Sequence, residues 1–535
     1  MDTNYIPRTN VTINDLGLKV APPPAGPKVT LLGICSNPDI TLNEPYTVGS
    51  VEKAMNAFYF NMSGAGGGWP DTIFPGELAL AIEDAVNAGA PNIEVMVIGR
   101  YSGSTLLNYI HPTGGYAQRY ADLSGAYDVL RSRDLDVVVP VGVYMDDILA
   151  TSTNNFGKQL ADFCFQSTQE QNSCVGVIPV RPPLSWAFRH GSPMVVGDNS
   201  SLRTLSGEIR TLFNLTDSGT YPTTYALRSG FANMEFGTPS TTLMNEWVNW
   251  HAYQGVGCTT LVSGSAQYST VHLGWLAGAA DQNGNTLSNI SESTATSVSS
   301  SYFTNWQAKD SAGAVATDSR GVKVDAGAYL SVVAMPLRSV GTQVRSVALA
   351  VGASPSFTSM NTDGAAAYAG LITSLAPQSS TTNKSLGGVT QLRLLSAKQA
   401  NDLTGMRYVT MLNRTKGLTV ASGVSGAYNV TKYVRSDFVR LTTVRIVHAA
   451  VDLIRSVADK YLGEPNNAPQ MNALDAEIDQ VLLSLKGQGA LNGYQFAISS
   501  TPDQRVLGEL DINLTLVPAF EITRINLVVS LSKEL

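Results

Sequence analysis

Two adjacent carboxylates, Asp146-Asp147, follow an apolar run at 136–144. Carboxylates at the carboxyl end of a parallel strand are where open α/β sheets place ligands and metals. The plainer reading is an acidic exit of the strand into solvent. A nucleotide site would need glycines that bring backbone N–H groups onto phosphates, with a lysine and a hydroxyl beside them. No GxxxxGK[ST] occurs, and Gly64-Ala65-Gly66-Gly67-Gly68 runs into Trp69-Pro70 instead of a helix start, so it reads as a surface loop. With no phosphate loop beside the acidic pair, the solvent exit is the preferred reading.

The remaining reactive residues form no constellation. His111, His190, His251, His272 and His448 are scattered, with no HExxH and no pair at ligand spacing. No G-x-S-x-G nucleophile elbow occurs. Cys35, Cys164, Cys174 and Cys258 show no CxxC and no zinc-type spacing with the histidines. Cys35 and Cys164 sit in apolar runs, where a free thiol behaves as a small core residue, so reduced buried thiols are expected and a disulfide is the alternative. Asn-x-Ser/Thr triplets such as Asn10-Val11-Thr12 arise by chance in so Asn- and Thr-rich a chain. No catalytic, metal or cofactor-binding residue is expected, and the chain is not expected to be an enzyme.

The elements that would position such residues follow from periodicity. Residues 1–27 read as an arm: Val11 and Ile13, then Leu16, Leu18 and Val20, alternate with polar residues, and Pro22-Pro23-Pro24 stiffens the exit. A strand isolated by a proline hinge is suited to pairing outside its own sheet. Next come α/β units. Strands are expected at 28–35, 93–98, 136–144 and 175–180, with helices at 77–87, 121–131 and 156–166 between them. The first helix faces Leu78, Ile82, Ala85 and Val86 inward and ends at Gly89. Val137-Val138-Val139 is continuous, as in strands covered on both faces. These repeats imply a mainly parallel sheet with helices on both sides.

Helices near 202–213 and 243–253 and a Ser/Thr/Asn-rich stretch at 281–301 mark an inserted or outer subdomain over about 181–325. A strand at 328–336 follows, then a polar segment and residues 392–403. The last hundred residues are patterned throughout. A helix at 437–461 carries Val439, Thr443, Ile446, Ala450, Leu453, Val457 and Tyr461 as a narrow stripe. A second helix buries Met471, Leu474, Ile478, Leu482 and Leu485 and ends at Gly487. Ile512, Leu514 and Leu516 alternate with Asp511, Asn513 and Thr515, and Ile525, Leu527, Val529 and Leu531 form a last strand.

Composition limits the partners. The 535 residues suffice for two or three domains, and 44% are hydrophobic. Only 14% are charged, where about 25% is usual, and the formal charge of −7 argues against direct nucleic-acid binding. A weakly charged surface suits a protein packed against copies of itself. No run reaches the roughly 18 apolar residues of a membrane span, so no membrane insertion is expected. Residues 1–10 hold no basic segment followed by an apolar stretch, so synthesis and retention in the cytosol are expected.

Taken in order, Tyr433-Val434-Arg435, the long helix, Tyr461-Leu462-Gly463-Glu464-Pro465-Asn466, Gly487, Gly489-Ala490-Leu491-Asn492-Gly493-Tyr494 and Val517-Pro518 with 522–531 resemble the C-terminal domain of contractile tail sheath proteins. Tyr368-Ala369-Gly370 and Gly387-Gly388-Val389 fall where that family carries its Ala-Gly segment, although its Trp and Ala-Pro-Ala-Asn are missing here. The helix, glycine, strand and arginine over 77–100 match its early pattern.

The resemblance implies a multidomain α/β and α+β chain: an arm at 1–27, a mainly parallel α/β sheath domain at 28–395, a C-terminal α+β sheath domain at 396–520 and a strand arm at 521–535. It implies no cofactor. It implies a homo-oligomer of stacked rings around an inner tail tube protein, with baseplate and tail terminator proteins as further partners. Such a subunit is made in the host cytoplasm and resides in the virion, where contraction drives the tube through the host envelope for genome ejection. Val11, Ile13, Leu16 and Leu18 are the expected N-terminal exchanged strand, and Ile525, Leu527, Val529 and Leu531 the C-terminal one. Arg435, Arg440, His448 and Arg455 are the expected tube-facing flank, a solvated helix face being the alternative. The other classes carried are an α/β enzyme with an added oligomerisation domain and a static capsid or surface-layer protein.

Overall fold

An apolar run without alternation needs cover on both faces, and the first strand obtains it. The computed structural model describes residues 26–61, 73–75, 77–100, 115–143, 145, 156–170, 172–179, 258–262, 265–268, 308–310, 313–317, 324–334, 337–339, 360–362, 364–391, 400–401, 404–405, 407–427 and 437–523. Seven strands form the main sheet: β1 (Lys28–Cys35), β2 (Pro45–Thr47), β3 (Asn92–Arg100), β4 (Val137–Pro140), β5 (Val175–Pro179), β6 (Leu330–Val333) and β7 (Tyr408–Val409). Their spatial order is β7-β6-β5-β4-β1-β3-β2. Every pairing is parallel except β2 with β3. β1 is central, and its Leu31 lies opposite Val95 on one side and Val139 on the other.

Helices α1 (Val51–Ala57), α2 (Glu77–Asn87), α3 (Gly115–Leu130), α4 (Phe156–Glu170) and α5 (Ala365–Ser374) surround this sheet. α2 and α5 pack on each other and on β1, while α3 packs on β3 and α4 on β5 and β6. Two helical layers with one sheet between them follow from right-handed parallel crossovers. Leu78, Ile82 and Ala85 are fully buried as their spacing requires, but Val86 is 40% exposed. It follows Ala85 by about 100° around the helix and so leaves the buried stripe. Gly89 ends α2 with φ 101°, its N–H donating to the Val86 carbonyl at 2.9 Å. The strand expected over 136–144 closes at Pro140, and Gly142, with φ 74°, turns the chain away.

The later elements build a second core. β8 (Met411–Arg414) and β9 (Gly417–Val420) form a hairpin. Then come α6 (Leu441–Ala458), α7 (Ala468–Gly487), β10 (Leu491–Ser499), α8 (Pro502–Leu507) and β11 (Asp511–Pro518). Asn467 caps α7 by accepting from the Gln470 N–H at 3.1 Å, and Thr501 with Gln504 makes a capping box on α8. Ile446, Ala450, Ile454 and Val457 of α6 meet Leu474, Ile478, Leu482 and Leu485 of α7, with Tyr494, Phe496, Ile512 and Leu514 packed beneath. The α6 stripe runs through Ile454; Leu453, expected inside, is 41% exposed. Leu441 and Val444, in the first turn of α6, belong instead to the core of the large sheet, as do Tyr408, Leu418 and Val424. The helices expected at 202–213 and 243–253 and the stretch 281–301 lie outside the described residues.

α2 and α5 touch through backbone. A Cβ on Gly370 would sit 2.4 Å from the Ala85 carbonyl oxygen, closer than atoms approach. Gly370→Val is expected to force the helices apart and cost about 1–3 kcal/mol, read as a lowered midpoint in urea unfolding with little change in the slope.

Candidate functional site

Alternation over 491–518 makes one face of the β10–β11 ribbon dry. Tyr494 lies opposite Leu516, Phe496 opposite Leu514 and Ile498 opposite Ile512, all toward α6 and α7. The opposite face presents exposed residues, Asp511, Asn513, Thr515 and Val517 among them. Among the described residues this sheet has two strands only, so each keeps an outer edge without a ladder partner. An isolated hairpin is marginal in water, and here the helical layer supplies the missing burial. The open edges present backbone donors and acceptors in a row, a template for a further strand. Large apolar side chains stand exposed around the ribbon: Val506 and Leu507 on α8, and Phe520 and Ile522 after β11.

The flank of α6 is seated on the body by polar contacts. Arg440, the residue preceding the helix, pairs with the nearly buried carboxylate of Glu521. Arg445 donates to the Leu375 carbonyl at 2.6 Å and the Ser379 carbonyl at 3.5 Å, just past the end of α5. A cation there complements the negative end of that helix. Burial pulls Arg445 down to about 10, against the opposing pull of Tyr368 and Asp136, so it stays charged near neutrality. Asp452 accepts from the Ser173 hydroxyl at 2.6 Å, and Arg455 donates to the Thr168 carbonyl at 2.8 Å.

His448 stacks on Tyr329, ring centroids 5.8 Å apart and planes 21° apart, and Tyr329 meets Phe165 edge-on. Burial, then the neighbouring Arg455, lowers the imidazole to about 4, so it is neutral near pH 7. Of the four expected tube-facing residues, Arg440, His448 and Arg455 therefore all make contacts within the chain, and Arg435 lies outside the described residues. Arg445, Asp452 and Glu521 were not singled out by periodicity. For Arg445 and Asp452 the signal is position, charges beside the apolar stripe of α6, where a polar partner must be met on docking; nothing local marks Glu521.

Asp146, Asp147, the strand residues Val11, Ile13, Leu16 and Leu18, and Ile525, Leu527, Val529 and Leu531 lie outside the described residues. Cys35, Cys164 and Cys174 are free and buried. Burial, then the hydrogen bond that the Cys164 thiol donates to Cys174, push Cys164 well up, the opposite of an activated nucleophile. Among the described residues no group of three or more His, Cys, Asp or Glu could hold a metal ion, and no helix is long and apolar enough to cross a membrane.

No family model matches the chain, and no curated protein matches it. Solved structures do. A chain of the anti-feeding prophage helical sheath in its contracted state is 10% identical with TM-score 0.48, covering 99% of this chain and 100% of that one. A chain of the anti-feeding prophage baseplate is 11% identical with TM-score 0.48, covering 99% of each. The sheath tail protein Lin1278 from Listeria innocua is 9% identical with TM-score 0.41, covering 93% of this chain and 96% of that one.

The seat of α6 has a pH signature. His448 binds its proton near 4 in the fold and near its ordinary 6.5 when unfolded, so between these values the unfolded chain holds more protons. Its contribution is complete above 6.5 and declines as pH falls toward 4. His448→Phe, which keeps a ring on Tyr329, is expected to flatten that part of the stability–pH curve, measured by urea unfolding at several pH values. Arg445→Ala is expected to cost about 2 kcal/mol by stranding two carbonyls.

Proposed function

We propose that the protein is the structural subunit of a contractile tail sheath, polymerising as stacked rings around an inner tail tube. The observation that carries this reading is the terminal two-stranded sheet, covered by helices on one face and, among the described residues, without a further strand at either edge. It lies in the stretch whose ordered motifs resemble the sheath C-terminal domain. Two patterned segments, one at each end of the chain, are available to fill such edges. Val11, Ile13, Leu16 and Leu18 would supply the N-terminal strand and Ile525, Leu527, Val529 and Leu531 the C-terminal one, each added to a neighbour's sheet.

Main-chain bonds give such joints affinity with little side-chain specificity. A strand of about six residues adds several bonds at roughly 0.5–1.5 kcal/mol net each. A joint of this kind survives large rotations, because the connecting segments bend while the ladder stays paired. Contraction would then rotate and slide the bodies outward within an intact mesh, driven by better packing in the final state. The tube would be pushed through the host envelope without nucleotide hydrolysis. Partners in this reading are further copies of the chain, the inner tube protein, and baseplate and tail terminator proteins, all within the virion.

The domain plan in this reading keeps arms at 1–27 and 521–535 and an outer region near 181–325. It starts the terminal module near residue 446, where the second core begins. Toward the tube it keeps Arg435 and the one-third-exposed Arg455. His448 packs on Tyr329, and Arg440 is bound to Glu521.

Electron microscopy of the purified chain over a range of concentrations tests the reading. Hollow, striated tubes of uniform width are expected. Deleting residues 1–20 should leave a folded monomer that builds none, and intact tubes from that truncation would sink the strand-exchange reading.

A further inference from the structure

Glu521, shortly after Pro518 ends β11, is a carboxylate almost out of water, its side chain 7% exposed. A buried charge persists only where it is paired. Its two partners come from distant parts of the chain. The Arg440 guanidinium donates to one oxygen, and the Thr382 hydroxyl donates to the other at 3.4 Å. Both partners are themselves fixed. Arg440 bridges Val424 through backbone and precedes the first turn of α6. Thr382 Oγ1 accepts from the Gly423 N–H at 3.0 Å and from the Ser380 hydroxyl at 3.0 Å.

The residues flanking Glu521 do not hold this segment by apolar burial. Phe520 is 52% exposed and Ile522 80% exposed. The nearest backbone tie is the Ala519 N–H on the Ala490 carbonyl at 2.9 Å, which belongs to the end of the ribbon. Among the described residues, the Glu521 carboxylate is the side chain that ties the chain after β11 to the body. It does so where the loop 380–382, the segment 423–425 and the start of α6 meet, a junction between the two hydrophobic cores.

We propose that Arg440 and Glu521 form a polar latch that holds the chain just after β11 on the body, making both positioning residues for the C-terminal strand that the sheath reading gives to a second copy of the chain. The proposal rests on the sheath reading above. An exchanged strand carries load only if its root is anchored. With the root free, the strand could still pair, but rotation of one body would not be passed to the next.

Arg524 provides a tryptic site immediately beyond the latch. The full chain, Glu521→Ala, Arg440→Ala and the charge exchange R440E/E521R are compared for trypsin cleavage after Arg524, thermal midpoint and tube formation. Loss of either partner is expected to leave a folded chain, raise cleavage about tenfold and abolish tubes or make their width irregular. The exchanged pair should move both readouts back toward wild type. Single variants that cleave at the wild-type rate, or that build tubes of wild-type width, overturn the proposal. A wild-type chain that builds no tubes at any concentration overturns the sheath reading and the positioning role with it, while the cleavage contrast still reports whether the latch exists.

Discussion

One helix belongs to two cores, and the remaining architecture is arranged around that fact. Leu441 and Val444, at the start of α6, pack into the core under the parallel sheet, whereas Ile446 to Val457 pack into the terminal core. The span from Leu441 to Val457 is about 24 Å of rigid rod at 1.5 Å per residue. The orientation of the terminal ribbon is thus tied to the α/β body through a stiff element. The polar side chains beside the stripe, Arg445, Asp452 and Arg455, find acceptors or donors on the body at Leu375, Ser173 and Thr168. Their burial would be costly without those partners.

This arrangement separates two jobs. The parallel sheet is covered on both faces, by α2 and α5 on one side and α3 and α4 on the other. The terminal ribbon is covered by helices on one face and, among the described residues, has no third strand at either edge, which is a liability for a solitary protein and an asset for one that joins copies of itself. Low charge points the same way, since few like charges must be brought together when copies pack. Cys35, Cys164 and Cys174 are buried, and His448 is neutral and stacked on Tyr329, so these side chains serve packing.

Much of the fold was legible in periodicity. Val137-Val138-Val139 marked a strand covered on both faces, and β4 is buried along its length. The stripe Met471, Leu474, Ile478, Leu482 and Leu485 marks α7 and its ending, although Met471 in the first turn is only half-buried, and the alternation of Ile512, Leu514 and Leu516 marks β11 and its dry face. The errors were local. Val86 and Leu453 each lie one position from the true stripe, and an apolar residue at the margin of a helical face can be assigned to either side until its neighbour is known. The apolar run at 136–144 outlasts strand β4 because hydropathy does not register the turn that Gly142 makes.

The sequence by itself determined the elements, their faces and the absence of recognised catalytic motifs, because hydrophobic periods of two and 3.6 residues and the spacing of reactive side chains are local properties. Tertiary structure decided what the polar flank of α6 does. Arg440, His448 and Arg455 are separated from Glu521, Tyr329 and Thr168 by between 81 and 287 positions. A charge beside an apolar stripe reads identically whether it meets solvent, a partner or another part of its own chain. Only packing distinguishes these, since the cost of burying a charge is met by whichever group the fold brings within hydrogen-bond reach.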